Sequence, residues 1–209
     1  MITLEFARVE VNDSNDLANF IVNVCDDYAQ KYNITLTIES YEQRFYQLVE
    51  QIKLKTGRNV VVLIDEYDKP ILDNLFSDAM PAVKKVMQSF YAAVKSLDPH
   101  LHFVFITGVS KFAKVSVFSG MDNLTDISGH LAYADICGVN DAQLNEYFKE
   151  PIEDLANLEG STTDNILAEI KHWYNGYRFH HKGISVYNPF SLLSLFRYQE
   201  FKNLSLIHI

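Results

Sequence analysis

The chain has 209 residues, room for one domain with a full core or one and a half small ones. Its net charge of −9 argues against a broad nucleic-acid-binding surface, although a local basic groove is compatible with it. No apolar run reaches the roughly 20 residues of a membrane helix, and "MITLEFARVE" lacks a charged-then-apolar leader, so a soluble, cytoplasmic protein is expected.

In chain order, "ITLEFARV" alternates apolar and polar residues and predicts a strand. "NDSNDL" follows as a loop, with Asp13 or Ser14 available as a helix N-cap. Leu17, Phe20, Ile21, Val24, Cys25 and Tyr28 then recur at helical spacing. Tyr41, Phe45, Leu48, Val49 and Ile52 do so again, in a helix that ends near Gly57. "NVVVLID" is a continuous apolar run ending in an acid. After Pro70 and Pro81, one helix face carries Val83, Val86, Met87, Phe90, Tyr91, Val94 and Leu97, until "DPH" breaks it. "LHFVFITG" is a second continuous apolar strand. Two strands apolar on both faces, each preceded by amphipathic helices, predict a parallel sheet covered on both sides.

From residue 107 to 130, "TGVSKFAKVSVFSGMDNLTDISGH" reads as a long ordered loop, with Val115, Val117, Phe118 and Leu124 favouring order. Short helices follow. "DAQLNEYFKEPIEDL" opens at an N-cap-like Asp141, and "TTDNILAEIKHWYNGY" ends at Gly176. "NPFSLLSLF" has Asn188 as cap and Pro189 at the first helical position. The predicted organisation is an α/β core over residues 1–138, a small helical subdomain over 139–203 and a tail, 204–209, set aside as non-native. Cys25 and Cys137 are expected to be plain core thiols in a reducing compartment. The seven histidines show no metal-ligand spacing.

Chemistry concentrates in "NVVVLIDEYDKP", where Asp65, Glu66 and Asp68 follow the apolar run. Ligands of such sheets sit at the carboxyl ends of the strands, which also places Thr107 and Gly108 on that edge. An Asp there can hold a hydrated Mg²⁺, which prefers one or two carboxylates plus waters and phosphate oxygens. A neighbouring Glu can orient or deprotonate a water aimed at a terminal phosphate. The plainer alternative is that acids end strands because charges belong in water. An adjacent pair kept charged at a crowded sheet edge favours the functional reading.

These residues carry a family resemblance. "VVVLIDEYDKP" resembles the Walker B strand of P-loop ATPases. "FVFITGVSKFAKVSVFSGMDNLTDIS", "WYNGYRF" and "VYNPFSLL" extend the likeness to the bacterial AAA-ATPase-like family, often paired with a PD-(D/E)XK nuclease-like domain. The resemblance covers about residues 1–200. It implies a P-loop NTPase-like parallel sheet flanked by helices, with ATP and Mg²⁺ as ligands. By position it implies Asp65 as the Mg²⁺-associated acid, Glu66 as the acid that activates water, and Thr107 as a sensor hydroxyl. Lys111 or Lys114 would face phosphates or a partner subunit, and Arg178 would supply charge to a phosphate. Each has a bland counterpart: a β-branched strand end for Thr107, solvated loop lysines, and an arginine among the packing aromatics Trp173, Tyr174, Tyr177 and Phe179. Asp68 is expected to be a supporting, loop-stabilising acid.

One half of such a site has no counterpart here. The phosphate loop G-x-x-x-x-G-K-[ST] requires a Gly-Lys step, and none of the eight glycines is followed by lysine. In the family that motif precedes the strand "ITLEFARV", so the sheet is expected to lack its first strand–helix unit. The chain is accordingly read as a fragment, inactive alone, of an ATP-hydrolysing protein; a shortened version that has lost ATP binding is the alternative. Two rivals stay open. A non-catalytic NTPase-derived interaction module would dock a protein partner or a second copy. A metal-dependent nuclease would need an acid-x-Lys pair, for which "DEYDK" offers Lys69 only past the strand end. Nucleic acid would be reached only through a nuclease-like domain outside this chain, and no membrane contact is expected.

Overall fold

A computed structural model describes residues 1–109 and 123–202. Two compact units divide the chain, Met1–Leu124 and Thr125–Ile209. The expected core boundary after residue 138 therefore lies inside the second unit. There the backbone at Gly138 runs against the Val186 side chain, and Val139 bridges to Tyr187.

The first unit begins with β1 (Ile2–Glu5), whose alternation puts Ile2 and Leu4 in the core. Asp13 caps α1 (Ser14–Lys31), accepting the N–H groups of Asn15 and Asp16. Helix α2 (Tyr41–Thr56) ends at Gly57, whose φ of 67° gives the left-handed cap that the glycine suggested. Strand β2 (Val60–Asp65), the short helix α3 (Lys69–Asp73), α4 (Met80–Ser96) and β3 (Leu101–Ile106) complete the unit. The sheet is parallel, in the order β1-β2-β3.

The sheet's cover differs from expectation. Ile2, Leu4, Val60, Val62 and Ile64 share one face and form a single buried cluster with Ile21 and Cys25 of α1, Phe45 and Val49 of α2, and Met87 and Phe90 of α4. The other face carries Val61, Leu63, Phe103 and Phe105, paired by register. None of these four belongs to that cluster, and Phe103 is 53% exposed. The apolar sequence predicted two covered faces; among the described residues of this unit the helices cover one. The reason is topological. Strand order advances steadily from β1 to β3, and right-handed crossovers taken in one direction put every connecting helix on the same side.

The second unit holds α5 (Asp141–Tyr147), α6 (Lys149–Glu159), α7 (Thr163–Tyr174) and α8 (Pro189–Tyr198). Leu144, Ile152, Leu155, Ile166, Ile170, Leu192 and Leu195 form their common core. Asn188 caps α8 as expected. The cap of α5 is Asn140 rather than Asp141, because Asn140 and Gln143 form a reciprocal capping box. An antiparallel pair, β4 (Asn175–Tyr177) and β5 (Val186–Tyr187), interrupts the expected all-helical run. Among the described residues, no helix is long and apolar enough to cross a membrane. Cys25 is buried, but Cys137 is exposed rather than a core thiol.

Candidate functional site at the strand tips

Parallel pairing brings the ends of β2 and β3 together. Thr107 continues the ladder: its N–H donates to the Ile64 carbonyl at 2.9 Å, and its own carbonyl accepts the Tyr67 N–H at 2.9 Å. Residues two apart share a face, so Thr107 lies with Phe103 and Phe105, and Asp65 with Val61 and Leu63. Across the strands the Thr107 hydroxyl donates to Oδ1 of Asp65. The same oxygen accepts the Glu66 N–H at 3.1 Å. Among the described residues no protein group bonds the other oxygen, and Asp65 is exposed.

Glu66 turns the chain away from the strand with a φ of 51°, in the left-handed region that side chains rarely adopt. Its carbonyl accepts the Lys69 N–H at 3.0 Å, which closes the turn into α3. Strained backbone of this kind clusters at functional sites and persists only when its surroundings hold it. Asp68 is 1% exposed and accepts the Val109 N–H at 3.1 Å on Oδ2. It is thus the loop-stabilising acid that the sequence suggested. Lys69 pairs with Asp73 at 2.6 Å.

The structure therefore brings Asp65, Glu66 and Thr107 together. Arg178 belongs to the second unit, where it is exposed just past β4. Lys111 and Lys114 lie outside the described residues. One neighbour was overlooked: Glu5 pairs with Asp65 in register and shares its face, while bonded to Arg8 at 2.6 Å. Its signal was legible, since it too is an acid ending a strand.

The donor set suits a hard, hydrated cation: an exposed carboxylate beside a hydroxyl, with room for water. It is not a closed cage, for no three His, Cys, Asp or Glu residues among those described converge on one point. The sequence of this chain holds no phosphate-gripping loop, so these residues do not by themselves fit the triphosphate of a nucleotide.

Comparison with known proteins places this geometry in a family. The family described as "Predicted AAA-ATPase" matches residues 1–118. The chain is also 37% identical over 203 residues to an uncharacterized protein encoded in the vnfD 5′ region of Azotobacter chroococcum mcd 1. That alignment takes in 97% of this chain and 37% of the relative, so the chain spans little more than a third of that protein's length. No solved structure matches it. The chain belongs to the predicted AAA-ATPase-like family.

Proposed function

We propose that the tips of β2 and β3 form the Mg²⁺ and water side of an ATP-hydrolysing site, in a P-loop NTPase-like domain whose phosphate grip comes from outside this chain. The observation that carries the reading is the Thr107 hydroxyl bonded to Asp65 across the two strand ends, on the face that the first unit's helices leave open. Asp65 would hold the Mg²⁺, which when bound would neutralise charge developing on the phosphates. Thr107 fixes the Asp65 carboxylate and leaves its second oxygen for the ion. Glu66, set off the strand by its left-handed turn, would orient a water and accept its proton. Arg178 and Lys111 remain candidates for phosphate charge. A bacterial, cytoplasmic ATPase is the setting this reading implies.

The test has two parts. The 209-residue chain, titrated with labelled ATP–Mg²⁺, should bind weakly or not at all; micromolar affinity would refute the claim that the phosphate grip lies elsewhere. In the longer polypeptide, Glu66→Gln should keep ATP binding and abolish turnover, and normal turnover would remove Glu66 from its role. A second reading, a non-catalytic interaction module, is favoured by one fact: no glycine of the chain is followed by lysine. Absence of ATP binding by the longer polypeptide would select it.

A further inference from the structure

Asp68 is the one fully buried carboxylic acid among the described residues. Burying a carboxylate costs several kcal/mol unless hydrogen bonds offset it, and a well-packed apolar residue often serves stability better. What a carboxylate adds is direction. The Asp68 backbone is fixed to α3, its carbonyl accepting the N–H groups of Ile71 at 3.0 Å and Leu72 at 2.9 Å. Its side chain reaches the exit of β3 and takes the Val109 N–H at 3.1 Å. Between them the chain is as close as it can be. A Cβ at Gly108 would lie 2.5 Å from Oδ1 of Asp68 and 2.5 Å from the Tyr67 ring. Tyr91 of α4 lies nearby, its hydroxyl kept protonated by burial first and then by Tyr67 and Asp68.

Thr107 is thereby bracketed. Ile64 holds its N–H, Tyr67 holds its carbonyl, and two residues on the Asp68 carboxylate holds the backbone of Val109. We propose that Asp68 is a positioning residue, clamping the β3 exit to the β2 exit so that the Thr107 hydroxyl stays on Asp65. The clamp is a statement about this chain; its service to turnover rests on the ATP-site reading above.

Amide hydrogen exchange on the 209-residue chain tests the clamp directly. Val109 is 86% exposed as a residue, yet its amide should exchange slowly in the wild-type chain because Asp68 accepts it. Asp68→Asn should speed that exchange about tenfold while α4 amides keep their protection. An unprotected Val109 amide in the wild-type chain overturns the clamp, and this measurement needs no variant that folds. In the longer polypeptide, Asp68→Asn should lower kcat about tenfold and leave KM for ATP–Mg²⁺ within about twofold, the split expected when geometry rather than binding is lost. Unchanged kcat in a folded Asp68→Asn protein overturns the positioning role. Glu66→Gln runs beside it: if that variant turns over ATP normally, the ATP-site reading fails and takes the positioning role with it, while exchange at Val109 still decides the clamp.

Discussion

Gly108→Ala puts the crowding at the strand tips to a quantitative test. The φ of Gly108 lies outside the left-handed region, so alanine meets no backbone penalty and the experiment reads space alone. The added methyl would sit 2.5 Å from Asp68 Oδ1 and from two carbons of the Tyr67 ring. Neither neighbour can yield cheaply, because Tyr67 is 6% and Asp68 1% exposed. Overpacking of this kind costs about 1–3 kcal/mol, and loosening a hydrogen bond to a charged group costs about 1.5–3 kcal/mol. A total near 3 kcal/mol is expected where the two overlap. With a urea slope of about 2 kcal/mol/M, the unfolding midpoint should fall by about 1.5 M. Near-ultraviolet circular dichroism of the tyrosines follows the transition, with Tyr67 and Tyr91 of the first unit among the reporters. A midpoint within about 0.3 M of wild type would refute the close approach of β3 to the Asp68 turn.

Three further outcomes are expected. Phe90, fully buried and 5.1 Å from the Phe45 ring centroid, should cost about 3–5 kcal/mol on change to alanine, whereas the half-exposed Phe103 should cost about 1 kcal/mol; equal losses in denaturant unfolding would mean that the second sheet face is covered after all. Iodoacetamide should label Cys137 in the native chain and spare Cys25, whose thiol burial pushes up to about 12; mass mapping that finds Cys25 modified first would contradict the packing of α1. The Asp141 carboxyl is held below its ordinary value by the Tyr187 hydroxyl at 2.6 Å and then by Lys171 at 3.0 Å. A lowered native value means that this stabilisation is whole above the ordinary value of 3.8 and is lost as pH falls through the native one. Tyr187→Phe should therefore flatten the acid loss of stability between about pH 5 and pH 2, and an unaltered acid limb would show the bond to be idle.

Some of this was legible from residues alone. The runs ending at Asp65 and Thr107 announce parallel strands because they are apolar without alternation, and the caps at Asp13, Gly57 and Asn188 are local chemistry readable one residue at a time. Asn140 displaced Asp141 because a capping box depends on a reciprocal bond from Gln143, which the presence of two good cap residues side by side leaves undecided. Strands β4 and β5 escaped because three and two residues are too short to show a period. The left-handed turn at Glu66 escaped for a different reason: a glutamate carries no signal for positive φ, so only the surrounding contacts reveal it.

The face of the sheet that carries Asp65 and Thr107 is the face left open by the first unit's helices, and simple arithmetic makes it so. A strand repeats every two residues, so Asp65 must share a side with Leu63 and Val61, and Thr107 with Phe105 and Phe103. The core side was claimed by Val60, Val62 and Ile64 together with Ile2 and Leu4. A shift of one residue at the end of β2 would turn Asp65 into the helix layer, where a carboxylate could not be hydrated, and would break its bond to Thr107. The apolar residues on the open face are thus more than a surface left to chance. They extend the plane on which Asp65 and Thr107 stand.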